Sequence, residues 1–363
     1  MNKLPFNSPP ERLCLLRLSA VGDVSHVLPV VRTLQAHWPE TQITWIIGKA
    51  EHSLVEDIEG IEFITFDKAK RWSAFAEIRR QLADRHFDVL LHMQMSLRAS
   101  LISLLVNADI RLGFDRKRAR DFQWLFTNHR IPYRPRQHVI ESFFGFSEAL
   151  GINDRMMRWD IPVPEYARTC SRQAIPEQPT LVVSPCSSQA YRNWTAEGYA
   201  TVADHAVEHH GMRVVITGGL STIENQYGDE IVTLMRHESL NLVGRTDLKQ
   251  LFAILQRATL VLAPDSGPAH LANAAGTPVI GLYATTNPER AGPYGSLDLV
   301  VSRYAEAVQE RYGKPPEQVR WGARVRTEGT MERITPQEVI ETLDQAMTRP
   351  TGNTTVSESP FSP

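Results

Sequence analysis

Short apolar runs alternate with amphipathic stretches along most of this 363-residue chain. In the first half RLCLLRL at 12–18, QITWIIG at 42–48, EFITF at 62–66 and FDVLLHM at 87–93 read as buried strands. Helical patterns lie between and after them. SAVGDVSHVLPVVRTLQAHW follows the first strand as a Gly-containing turn and an amphipathic helix, and others fall near 73–85, 96–107 and 137–150, the last stopped by Gly151. This alternation predicts a parallel sheet with helices on both faces. Residues 152–178 break it with Pro162, Pro164 and Pro176, and 161–178 is drawn as a linker. The pattern then resumes with TLVVSP at 180–185, a helix at 195–210, MRVVITGG at 212–219, and helices at 222–236, 246–257 and 335–348. The fold class is α/β with two Rossmann-like domains, 1–160 and 179–348, and a ligand cleft is expected between them. The polar tail 349–363 is expected to be disordered.

The stretch 259–283, TLVLAPDSGPAHLANAAGTPVIGLY, organises the second half. Its apolar start reads as a strand buried on both faces, and Asp265 and Ser266 follow as helix N-cap residues with Pro268 in the first turn. A small-residue helix runs to Gly276 and a second strand begins after Pro278. A helix start at a strand's carboxyl end binds phosphate well, because unpaired N–H donors and the positive dipole end point the same way. An ordinary crossover with a well-capped helix has the same local features.

Composition narrows the classes. Net charge is −2, which argues against a nucleic-acid binder. Positive charge gathers at 111–136, with eight basic residues and two acids, either a solvated face or a surface for anionic ligands. Cys14, Cys170 and Cys186 are too widely spaced for a metal pattern or a disulfide framework, which suits a reducing cytoplasm. The N-terminus has no apolar signal core and no stretch has the ~18 apolar residues of a membrane span, so any membrane contact is expected to be peripheral.

SAVGDVSHVLPVV after the first strand, RNW at 192–194, LVGRTDL and PDSGPAHLANAAGTPVIGLY together resemble the ADP-heptose:lipopolysaccharide heptosyltransferases of glycosyltransferase family 9, over roughly residues 12–290. The resemblance implies the GT-B architecture, with acceptor on the N-terminal domain and nucleotide sugar on the C-terminal one. It also implies inverting, metal-independent transfer with no cofactor, and the chain has no Asp-x-Asp pair. ADP-heptose is the implied donor. A lipid-linked lipopolysaccharide core is the implied acceptor, reached from the cytoplasmic face of the inner membrane.

Such a transfer needs a base for the acceptor hydroxyl, stabilisation of the departing diphosphate, and an acceptor held in line. Asp23, in a loop after the first strand, matches the family's catalytic Asp; a plain N-cap would also favour an Asp there. For the diphosphate the resemblance points to Asp265, Ser266, Gly267, Pro268 and His270, with Ser187 and Ser188 lining the same pocket. Arg192 stands where the family often has Lys; the arginine is bulkier and grips phosphate through two donors. Glu224 resembles the family's ribose-binding acid and Thr246 the position whose backbone reads adenine, although both also suit helix starts. Arg17, Arg98 and Arg120 occupy places where related enzymes carry Lys or Arg, which the resemblance implies for an anionic acceptor, and Gln94 is suited to hydrogen-bond a sugar. Residues 303–331 match nothing in the family pattern.

Two other readings remain at this level. One is a GT-B transferase using a different nucleotide sugar, separable by ADP against UDP competition. The other is a nucleotide-binding protein that has lost transfer, against which the intact Asp23, Arg192 and DSGPAH set argues. A dehydrogenase is weaker, since S-A-V-G-D-V is not G-x-G-x-x-G.

Overall fold

The computed structural model describes residues 4–348, so the tail expected to be disordered at 349–363 lies outside the described residues. The chain divides into two compact units, Met1–Pro162 and Val163–Pro363.

The first unit runs β1 (Arg12–Leu16), α1 (Val21–His37), β2 (Gln42–Gly48), α2 (Lys49–Val55), β3 (Ile61–Phe66) and α3 (Trp72–Leu82). It continues with β4 (Phe87–His92), α4 (Leu97–Ser103), β5 (Ala108–Gly113), β6 (His129–Arg130) and α5 (Val139–Leu150). All its strands pair in parallel, in the order β3-β2-β1-β4-β5-β6. Leu13 to Leu16 of β1 and Trp45 to Ile47 of β2 are fully buried, so these strands appear in the sequence as unbroken apolar runs. β5 escapes that pattern because Asp109 and Arg111 interrupt it. The Arg111 side chain turns back to donate to the carbonyls of Val106 (2.8 Å) and Phe126 (3.1 Å), so this cation of the basic run is a structural tie. The chain bends into β5 after Ser103, which ends the helix expected over 96–107 early.

The second unit runs α6 (Glu165–Ala174), β7 (Thr180–Val183), α7 (Ala196–His210), β8 (Arg213–Ile216), α8 (Thr222–Leu234), β9 (Leu240–Asn241) and α9 (Leu248–Arg257). It then forms β10 (Leu260–Pro264), α10 (Gly267–Ala274), β11 (Val279–Tyr283), α11 (Pro288–Ala291), β12 (Val300–Ser302), α12 (Tyr304–Tyr312) and α13 (Pro336–Thr348). Its parallel sheet is ordered β12-β11-β10-β7-β8-β9. Counted from its own first strand, this is the order of the first sheet. In each unit the strand order reverses between the first and fourth strands, β1/β4 and β7/β10, and open α/β sheets bind ligands beyond the carboxyl ends of those strands.

The linker expected at 161–178 is corrected by α6. Its Ala167, Ser171 and Ala174 are buried, it packs against α9, and Arg257 Nε donates to the Ile175 carbonyl at 2.6 Å. Pro164 is the N-cap of that helix, where the absence of an N–H costs nothing, so the prolines mark a helix start rather than irregular chain. Residues 303–331 form part of the second unit. Tyr304, Ala307, Val308 and Val325 make a small core, and the strand-like bridge Thr286–Arg324 fixes the segment beside the end of β11.

Candidate active site

In the first unit the loop after β1 leads to α1, whose N-cap is Ala20 with no side-chain cap bond. Asp23 therefore does not act as the cap. It lies in the first turn with its carboxylate in a close ion pair with Arg17 Nη2, and its side chain is 39% exposed. Arg17 is almost wholly inside. Its Nη1 donates to the Met93 carbonyl at 2.7 Å and its guanidinium lies 5.3 Å from the centre of the Phe143 ring. Gln94, at the end of β4, accepts from the backbone N–H groups of Leu18 (2.6 Å) and Ser19 (3.3 Å). Arg17 and Gln94, expected at an acceptor, are thus both engaged in holding the Asp23 loop. Arg98, on the first turn of α4, and Arg120, in the loop between β5 and β6, are exposed.

Sequence reasoning missed Glu51. It is buried in the first turn of α2, and that burial pushes its carboxyl pKa up despite Lys68 at 4.0 Å. A Cβ on Gly48 would meet Glu51 Oε2 at 2.3 Å and the Leu18 carbonyl at 2.4 Å, so this turn needs glycine for the strand end, the acid and the Asp23 loop to pack.

In the second unit β10 delivers Asp265 and Ser266 to the start of α10. Ser266 is the N-cap by backbone geometry, yet its buried hydroxyl makes no cap bond and has no partner. Gly267 and Ala269 lie in a first turn that supplies no acceptor for their N–H groups, and Pro268 has none to satisfy. Asp265 was expected as a capping residue, but its carboxylate faces sideways. Arg192 Nη1 lies 3.1 Å from Asp265 Oδ2 and donates to its carbonyl at 3.1 Å, and His270 Nε2 is 3.7 Å from Oδ1. Burial alone would raise the Asp265 pKa; His270 beside it and the Arg192 charge outweigh that, and the carboxyl titrates below the usual range.

Arg192 has company that the sequence did not reveal. The Tyr191 ring lies 5.7 Å from the Arg192 guanidinium and 5.6 Å from that of Arg326. Burial would raise the phenol pKa, but Arg192, Arg324 and Arg326 together bring it below its ordinary value, the mark of a concentrated positive field. Tyr191 Oη, Arg192 Nε and Thr286 Oγ1 are buried, with Tyr191 facing Arg192 and Thr286 facing the Asp265 carboxylate. Nothing within the RNW triplet signals the two further arginines; they arrive through the bridge at Thr286.

Ser187 and Ser188 follow β7, which pairs with β10, so they flank the same corner; Ser187 N donates to Asn193 Oδ1 at 2.8 Å and Ser188 is exposed. Glu224 accepts from Gly219 N at 2.8 Å and from the Ser221 hydroxyl at 2.7 Å, the N-cap of α8. Thr246 does not begin α9. Asp247 is the N-cap there, in a reciprocal capping box with Gln250, and Thr246 precedes it. Among the described residues a cluster of potential metal ligands, His205, His210 and Asp344, lies between α7 and α13 and includes none of these groups.

Residues 75–319 match glycosyltransferase family 9 (heptosyltransferase). The chain is 41% identical over 338 residues, 92% of its length and 96% of the relative's, to the lipopolysaccharide core heptosyltransferase OpsX of Haemophilus influenzae. It is 25% identical over 285 residues, 73% of its length and 80% of the relative's, to lipopolysaccharide heptosyltransferase 3 of Escherichia coli K12. Its fold is that of a family 9 glycosyl transferase from Veillonella parvula (TM-score 0.77, 21% identity, covering 96% and 99% of the two chains). It is also that of E. coli heptosyltransferase WaaC with ADP (TM-score 0.71, 18% identity, covering 92% and 99%). The doubly wound units are of the GT-B class, and with two thirds of the chain inside the family match, this protein belongs to glycosyltransferase family 9, the heptosyltransferases.

Proposed function

We propose that this enzyme transfers L-glycero-D-manno-heptose from ADP-heptose to the lipid-linked inner core of lipopolysaccharide, with inversion and without a catalytic metal. Asp23 takes the proton of the acceptor hydroxyl, from a loop kept in one conformation by Arg17 and Gln94. The departing diphosphate is met by the N–H groups at the start of α10, the Ser266 hydroxyl and the positive field of Arg192 with Arg324 and Arg326. These are fixed donors aimed where charge develops, and they supply the compensation for which other transferases use a dication.

The observation that carries this reading is the uncapped, buried start of α10 beside an Arg192 held in place by Asp265. A helix start left without a cap costs about 1 kcal/mol, so its retention here fits a ligand that completes it. Ser187 and Ser188 border that corner. Glu224 presents a carboxylate to the ribose diol in exchange for its Ser221 partner, and the backbone near Thr246 contacts the adenine edge.

Arg98 and Arg120 are assigned to the anionic acceptor. Around them Leu97 and Leu101 of α4 and Leu104 just after it are exposed, and Phe122 and Leu125 are exposed in the basic loop. Arg116 lies over Trp124 at 4.6 Å and Lys117 over Tyr133 at 4.6 Å, while Arg118 is tied down by Asp115. Mixed apolar and cationic side chains suit the headgroup layer of an anionic membrane, and no helix among the described residues is long and apolar enough to cross one. This supports peripheral attachment at the cytoplasmic face of the inner membrane.

The experiment is transfer by the purified chain from ADP-heptose to core glycolipids that are heptose-free or already carry heptose, read as ADP release together with the added heptose mass. A heptosylated product is expected. Product formed only from a UDP-sugar, or ADP binding without any product in a single turnover, would replace this reading.

A further inference from the structure

We propose that His205, His210 and Asp344 form a binding site for a transition-metal dication of the zinc type, which fastens the last helix of the second unit to the end of α7. His205 and His210 lie in the last turns of α7, and Asp344 reaches them from α13. Both imidazoles present Nε2 to the same carboxylate oxygen, at 2.8 Å from His205 and 2.6 Å from His210. The three ligand atoms lie within 4.8 Å of one another. The histidine side chains are largely covered, at 18% and 20% exposure, whereas Asp344 is 46% exposed. The site is therefore built on one side and open to solvent on the other.

Two imidazole nitrogens and one carboxylate oxygen are the donor set of zinc and its neighbours, not of magnesium or calcium, which take oxygen. A tetrahedral ion with bonds of about 2.0–2.1 Å separates its ligand atoms by about 3.3 Å, so each imidazole withdraws from the carboxylate by about 0.6 Å and the two Nε2 atoms, within 4.8 Å of one another, settle at the same spacing. A water completes the fourth position from the open side. The His209 ring stacks on His205 with centroids 4.3 Å apart and limits its rotation. The carboxyl end of α7 also favours positive charge through the helix dipole. Metal binding uses the Nε2 lone pair, so the proton that each Nε2 shares with Asp344 has to move to Nδ1 or leave. Where the imidazoles are protonated, binding competes with that proton.

The site is separate from the transfer chemistry and stands or falls without it. The test uses the tag-free full chain, stripped with EDTA and titrated with zinc chloride by calorimetry at pH 7.5. One equivalent is expected to bind and to raise the melting temperature, and cobalt in its place is expected to give tetrahedral visible absorption. His210→Gln and Asp344→Asn, which keep polar groups of similar shape, are expected to weaken zinc at least about tenfold while melting like the wild type in EDTA. Binding should weaken in the wild type as pH falls to 5.5. No bound equivalent in the wild type, or wild-type affinity in both variants, overturns the site.

Discussion

The guanidinium of Arg17 and the carboxylate of Asp23 form a close ion pair in which one partner is almost wholly inside the first unit and the other is 39% exposed. The asymmetry divides the labour. Arg17 is fixed by the Met93 carbonyl and the Phe143 face, so it holds the acid in one orientation, while the exposed side of Asp23 remains available to a hydroxyl.

Asp23→Ala is expected to lower kcat by about 10²–10⁴, the usual worth of a general base, and to leave the Kd for ADP within about twofold. On the proposed mechanism Arg17→Ala removes placement rather than the base, so it is expected to lower kcat by about 10² with little change in ADP binding. Turnover assays with a lipid-linked core acceptor check both. Near-wild-type turnover of Asp23→Ala would take the base role from this residue.

Arg192 is held against Asp265 by two contacts of 3.1 Å, one to carbonyl and one to carboxylate. Arg192→Ala is expected to weaken ADP about 10- to 100-fold, the scale of one lost charge-assisted contact, and to lower the melting temperature because Asp265 stays buried with less compensation. Arg192→Lys restores charge without the fork and should recover only part of the affinity. Calorimetry with ADP reads the difference; unchanged affinity in the alanine variant would remove Arg192 from the donor site.

The parallel sheets were legible because their central strands are buried on both faces, as in QITWIIG, which matches β2 residue for residue. Edge and interrupted strands were not: β5 carries Asp109 and Arg111, and β6 is two residues long. α6 hid behind its prolines. Placement after a strand end was readable for Asp23, Asp265 and Ser266, which all follow β1 or β10. What the sequence could not show was orientation. Arg17 was expected at the acceptor from the family resemblance and Gln94 from its place just after β4, and both also contact the Asp23 loop. Tyr191, Arg324 and Arg326 form one cluster only through a pairing between residues 286 and 324, a contact with no local pattern.

The three thiols are expected to differ in reactivity. Burial pushes Cys14 far above the usual thiol range and Cys186 up to about 12, while Cys170 is partly exposed and raised less. The native protein should therefore show one slowly reacting thiol toward a chromogenic disulfide at pH 8, at Cys170, and three after unfolding. Cys170→Ser should abolish the native reaction. Modification of Cys186 in the folded protein, mapped by mass spectrometry, would contradict the closed packing behind the loop after β7.

His92 gives the first unit an acid sensitivity whose direction follows from its burial. Desolvation, and then the charge of Arg111, push its pKa down to about 3, while its Nε2 lies 3.2 Å from Ser100 Oγ. In the unfolded chain the same imidazole titrates near its ordinary value, about 6.5. Between those two values the unfolded state binds a proton that the folded state does not, so stability rises with pH across that window. The contribution is fully present above about pH 6.5 and falls by up to about 1.4 kcal/mol for each pH unit below it. His92→Gln removes the titrating group, and other ionisable side chains cancel when the two proteins are compared. Urea melts at pH 5, 6, 7 and 8 should show the variant losing less stability than wild type on acidification, by up to one bound proton in slope. Parallel pH dependences in the two proteins would mean that His92 is protonated in the folded state, with its charge reaching solvent through a path that the packed β4 strand excludes.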